Sequence, residues 1–169
     1  MASSTFTGPV TSKNGFISGS GSLVAVSGAT TTAVTVTSAA HAGRTVLMSG
    51  ATSAGTAVTF TLPAATGTGN IYTFAVRTVP SGGGNYVIKV ANSTDIVQGH
   101  AVMMLATTGT AGSFPTTAAS DTITLNGTTT GGNQIGDLVT IQDVDAGYFT
   151  VTAISTYSGT AATPFSATV

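Results

Sequence analysis

Apolar residues recur along this chain at every second position, in short runs separated by Gly, Asn, Asp and Pro. Val34 and Val36 alternate with Thr35 and Thr37. Residues 44–48 form the next run, and in 58–62 the side chains of Val58, Phe60 and Leu62 share one face of an extended strand. Pro63, which has no N–H to donate, ends that strand. After a turn at 67–70, the run 71–76 puts Tyr72, Phe74 and Val76 on one face. A Gly-rich loop at 81–85 leads into 86–90, and 101–106 is a further apolar run. Residues 122–125 bury Ile123 and Leu125, and the following Asn126-Gly127 is a strong turn signal. Runs at 138–141 and 148–154 flank a turn at 143–147, and 165–169 closes the last pairing. The pattern predicts about nine or ten short strands, with helical turns allowed at 37–42 and 93–98 alone. No repeat of fixed period argues for a solenoid or propeller. The expected architecture is all-β: a single β-sandwich, jelly-roll-like or barrel domain over residues 33–169.

Residues 1–32 follow a different pattern. Gly8-Pro9, Asn14-Gly15, residues 19–22 and residues 28–30 break the segment every few positions. Between the breaks stand Phe6, Val10, Phe16, Ile17, Leu23 and Val24. Such a stretch has no core of its own, so it is either a flexible leader or an extended N-terminal arm that orders on a partner.

Composition narrows the function. Charged residues make up 5% of the chain, against roughly 25% in an ordinary soluble domain. The cations are Lys13, Arg44, Arg77 and Lys89, too few and too scattered for the phosphate contacts of a nucleic-acid binder. Mean hydropathy is +0.40, which opposes disorder of the folded part. The longest apolar run, 101–106, is far short of a spanning helix, and the short strands without Trp do not fit a membrane barrel. Residues 1–6 lack a basic n-region and an apolar h-region, so no signal peptide is expected. There is no Cys, hence no disulfide and no thiolate nucleophile or ligand.

Candidate chemistry is sparse. His41 and His100 stand alone, outside any metal-binding spacing. No nucleophile elbow is present, and the Gly-rich loops are followed by no Lys. The five carboxylates, Asp95, Asp121, Asp137, Asp143 and Asp145, mostly sit beside turn residues, where Asp accepts backbone hydrogen bonds. Asp143-Val144-Asp145 resembles the start of a calcium loop but lacks the third oxygen ligand and the distal Glu, so a β-turn is the simpler reading. Asn92 and Asn126 head glycosylation sequons that carry no weight without a secretory signal. The expectation is a non-enzymatic protein with no cofactor and no metal.

Residues 8–16 resemble the opening of many tailed-phage head proteins, and residues 59–72, 119–132 and 162–167 are similar, in that order, to passages of tailed-bacteriophage capsid decoration (cement) proteins. The resemblance spans most of the chain. It implies a structural virion protein on the capsid exterior, made in the host cytoplasm, commonly a homotrimer, with the major capsid protein as partner and no catalytic residues to transfer. Low net charge also favours self-association. The expected capsid-binding residues lie in the first 25 or so: Phe6, Pro9, Val10, Lys13, Asn14, Phe16 and Ile17. An extended arm of about 25 residues reaches roughly 80 Å, enough to cross between capsomers. The competing readings are a phage fibre or receptor-binding tip and a carbohydrate-binding β-module. Four Tyr and no Trp weaken the sugar-binding reading.

Overall fold

The computed structural model describes residues 23–25 and 32–169. Among the described residues, twelve strands form two sheets. In chain order they are β1 (Leu23–Ala25), β2 (Ala33–Thr35), β3 (Thr45–Met48), β4 (Ala57–Thr61), β5 (Ile71–Val76), β6 (Asn85–Lys89), β7 (Ile96–Leu105), β8 (Ala111–Pro115), β9 (Thr122–Leu125), β10 (Leu138–Asp145), β11 (Tyr148–Tyr157) and β12 (Phe165–Ser166). One helical turn, α1 (Ser38–His41), lies between β2 and β3. The Thr37 hydroxyl caps it by accepting from the Ala40 amide at 3.3 Å.

The seven-stranded sheet runs β1-β3-β5-β10-β11-β7-β8, and the five-stranded sheet runs β12-β9-β6-β4-β2. They pack as a sandwich, and strand alternation supplies the core from both sides. Phe60 of β4 meets Phe74 of the opposite sheet edge-on, with centroids 5.5 Å apart, and Tyr86 of β6 lies beside Phe60 at 6.4 Å. Val46, Met48, Tyr72, Ile88, Ile123, Ile141 and Phe149 are buried in the same cluster. The two fully buried tyrosines, Tyr72 and Tyr86, each have a partner for the hydroxyl. Tyr86 donates to the Thr78 carbonyl at 2.7 Å, and the Tyr72 hydroxyl lies 3.1 Å from that of Ser38.

From β1 to β6 the chain alternates between sheets, so parallel neighbours are two strands apart in sequence: β1 with β3 and β3 with β5, then β2 with β4 and β4 with β6. β7 and β11 are parallel over ten residue pairs. Hairpins occur at β7–β8 and β10–β11. Reading each turn signal as a local reversal does not reveal this winding. Asn126-Gly127 is the clearest case. It does not close a hairpin: it opens the crossing from β9 in one sheet to β10 in the other. The Asn126 side chain accepts from the amides of Thr128, Thr129 and Thr130, which makes the turn self-sufficient.

Other differences are local. The helical turn allowed at 93–98 is not formed, because Ile96–Gln98 begins β7, paired to β11. Residues 111–115 form β8 despite Gly112 and Pro115, as an edge strand where a missing donor is tolerated. The closing strand is Phe165–Ser166, shorter than 165–169. Of the segment read as an arm, Leu23–Ala25 is paired to β3. No helix among the described residues is long and apolar enough to cross a membrane.

Gly99, with φ of 149°, sits opposite Val151 in the β7–β11 ladder, and a Cβ there would overlap the Val151 carbonyl. Gly99→Ala is expected to destabilise the fold by about 2–4 kcal/mol, combining unfavourable φ with overpacking. Gly109→Ala, where φ is 70° and nothing lies within 4 Å, is the control and costs about 1 kcal/mol. Urea unfolding of both variants measures the difference.

Candidate interaction surface

The five aspartates illustrate how local sequence and tertiary structure diverge. Asp95, Asp121, Asp137 and Asp143 are buried, and their hydrogen-bond partners are backbone amides and side-chain donors. Asp143 points inward from the end of β10, in the alternation set by Val139 and Ile141. Its Oδ1 accepts from the amides of Thr66 and Gly67 at 3.0 and 2.7 Å. Its Oδ2 accepts from the Thr68 amide at 3.1 Å and the Thr68 hydroxyl at 2.6 Å. The Ala65 amide donates to Asp95 at 2.9 Å. Four consecutive amides of the β4–β5 crossing, 65–68, therefore end on two carboxylates.

Asp137 accepts from the Ser155 hydroxyl and the Thr156 amide, both at 2.9 Å, tying the start of β10 to the end of β11. Asp121 accepts from the amides of Thr168 and Val169 at 2.9 and 3.1 Å, holding the last residues beside β9. Burial pushes the Asp143 carboxyl up, but the bonds from Thr68, Gly67 and Thr66 outweigh it and hold it below the ordinary value. At Asp121, burial again pushes up. The Thr168 amide, the Thr122 hydroxyl, the Val169 amide and the charge of Lys89 reverse it.

The sequence candidates for chemistry are not brought together. Asp143 turns its oxygens to protein donors, whereas Asp145 is exposed across a register shift in the hairpin and accepts from the Ala146 amide. The calcium-loop spacing is thus a bulged β-hairpin. His41 is buried in α1, its Nδ1 accepting from the Thr37 amide at 3.0 Å. His100 is exposed on β7. Among the described residues no three His, Asp or Glu side chains are grouped to hold a metal. The amides of Asn92 and Asn126 are occupied by Asp95 and Thr129, so both sequons serve local turns. Phe6, Pro9, Val10, Lys13, Asn14, Phe16 and Ile17 lie outside the described residues.

What the register does assemble is a surface. On the outer side of the seven-stranded sheet, Leu47 lies beside Ala75, Ala75 beside Leu138, Leu138 beside Ile154, and Ile154 beside Val102. One apolar side chain per strand thus crosses five strands in a row, with Ala75 recessed and buried and Leu47 and Val102 half-buried. Leu138 and Ile154 are 41% and 55% exposed, although a solvated sheet face usually carries polar residues there. The next row is Thr45, Thr73, Thr140, Thr152 and His100. The outer side of the other sheet has Thr35, Thr61, Lys89, Thr122 and Ser166 in register. Sequence reading missed the apolar row because its members come from five strands. The signal available was Leu138 and Ile154, each out of phase with the inward residues of its own strand.

No protein-family model matches the chain, and comparisons with curated proteins and with solved structures find no match.

The depressed Asp143 and Asp121 carboxyls set the expected pH response. An unfolded chain takes up these protons near the ordinary value of about 3.9, and the folded chain does so lower. Their stabilisation is full above that ordinary value and is lost as pH falls through the folded values. Melting temperature should stay level from pH 8 to 5 and drop below about pH 4. Asp143→Asn turns an amide donor toward other donors. It should cost about 2 kcal/mol or more at neutral pH and flatten the acid limb. A chelator should leave the wild-type melt unchanged. A chelator-dependent melt would reassign the Asp143–Asp145 hairpin to metal binding.

Proposed function

We propose that this chain is a structural virion protein that binds the outside of a tailed-phage capsid and stabilises the lattice, with no catalytic role. The observation that carries the reading is a body of two packed sheets whose loops are tied down by buried carboxylates. A lattice cement needs contact area and stiffness. The resemblance of residues 8–16 to tailed-phage head proteins, and of 59–72, 119–132 and 162–167 to decoration proteins, supports the same reading.

In this reading the partner is the major capsid protein, and the contact is made by the N-terminal segment through Phe6, Pro9, Val10, Lys13, Asn14, Phe16 and Ile17. Burying one large apolar side chain is worth about 1.5–3 kcal/mol, so a few offset the cost of ordering an extended segment. Lys13 is the one charged residue in the first 25, so attachment should depend weakly on salt.

Binding of the full chain and of a chain lacking residues 2–22 to decoration-free capsids tests this. That deletion leaves β1 in place. The truncated protein is expected to keep its melting temperature and to lose at least tenfold in capsid affinity. The full chain should bind almost equally at low and moderate salt. Equal affinity of the two proteins would move the capsid contact onto the β-body. No binding by the full chain would remove the capsid reading altogether.

A further inference from the structure

We infer that the outer face of the seven-stranded sheet is a self-association surface, covered by the same face of a second copy of this chain. Three observations carry this: the charge, the extent and the self-complementarity of the face.

The first is charge. Away from the hairpin tip at Asp145, the outward residues of β3, β5, β10, β11 and β7 include no Asp, Lys or Arg. Covering the face therefore strands no ion. It also has none of the outward charges that keep sheet faces solvated and apart.

The second is extent. With a rise of about 3.4 Å per residue and about 4.8 Å between strands, the face covers roughly 700 Å². A standard stable interface takes about 800 Å² from each partner. The face alone is close to that size.

The third is the order of residues within the apolar row. Leu47, Ala75, Leu138, Ile154 and Val102 follow one another across the sheet. A two-fold axis along the strands through Leu138 reverses the row in the second copy. Leu138 then meets its own equivalent, Leu47 meets Val102, and Ile154 meets Ala75. The most exposed large side chain of the row, Ile154, is thereby set over the smallest. A patch that complements its own reversed copy suits a two-fold contact, in which one surface serves both partners. The outer rows of the five-stranded sheet, with Lys89 among hydroxyl side chains, do not have this property.

The inference rests on the low charge of the chain and the register of the sheet, and not on capsid binding. It replaces the expected three-fold contact with a two-fold one. Sedimentation of the free chain tests it without any capsid, so the two readings fail separately. At tens of micromolar the wild type should sediment as a dimer, and Ile154→Lys should weaken the association at least tenfold while keeping the wild-type melt measured on dilute monomer.

Because the chain has no Cys, single thiols report the covered face even if Ile154→Lys folds poorly. Thr152→Cys, exposed in the row beside Ile154, should react with a maleimide several-fold more slowly as protein concentration rises. Thr35→Cys, exposed on the outer face of the other sheet, should react at a constant rate. A wild-type monomer at these concentrations overturns the inference. So does a trimer, or a dimer that leaves Thr152→Cys as reactive as when dilute. An Ile154→Lys protein that melts lower yet stays dimeric also overturns it, since the row would then merely brace its own sheet.

Discussion

Buried carboxylates satisfied by backbone amides are the constraint on which the rest of this structure depends. Removing a carboxylate from water costs several kcal/mol, and proteins usually offset it with a cation. This chain has four Lys and Arg in all. Its buried aspartates are held mainly by N–H and O–H donors, with Lys89 adding its charge at Asp121, and some donors come from segments as far as 77 residues away, as for Asp143 and Thr66. A charged acceptor makes each such bond stronger than one between neutral groups. With no Cys, these clasps are what cross-links the loops.

The winding of the chain explains why clasps are needed. A hairpin hands its amides to the adjacent strand, whereas a crossing between sheets leaves a loop whose amides have no ladder to join. The β4–β5 crossing is the sharpest example, with the four amides 65–68 all directed to Asp95 and Asp143. Asp121 performs the same service for Thr168 and Val169, beyond the short β12. Asp137 does so where β10 and β11 part from the loop before them. Among the described residues no buried side-chain polar atom is left without a partner.

This economy of charge shapes the exterior as well. Most of the acidic side chains are spent inside, and few cations exist to balance a charged surface, so Thr and small apolar residues cover the sheets. One consequence is a face that does not repel a copy of itself. Another is that, among the described residues, no three His, Asp or Glu side chains stand together. The clasped loops of the sandwich and its uncharged outer face thus share one origin, the placement of the aspartates.

Much of the all-β character was legible in the chain, because strand alternation is a local property. Val58, Phe60 and Leu62 declare their shared face without reference to any other strand, and β3 to β6 fall where the pattern puts them. The capping role of Asn126 is local too. What the local pattern does not contain is which strand lies beside which. Parallel pairing of β3 with β5 joins residues more than twenty positions apart, and nothing in either run names the other. Edge strand β8, with its Gly and Pro, is held by β7 and has little propensity of its own. The roles of Asp95 and Asp143 were read as turn residues because a turn is what their neighbours spell. That they hold a distant crossing depends on the tertiary path. The apolar row has the same origin. Leu47, Ala75, Leu138, Ile154 and Val102 are unremarked singly, and only the register of five strands sets them side by side.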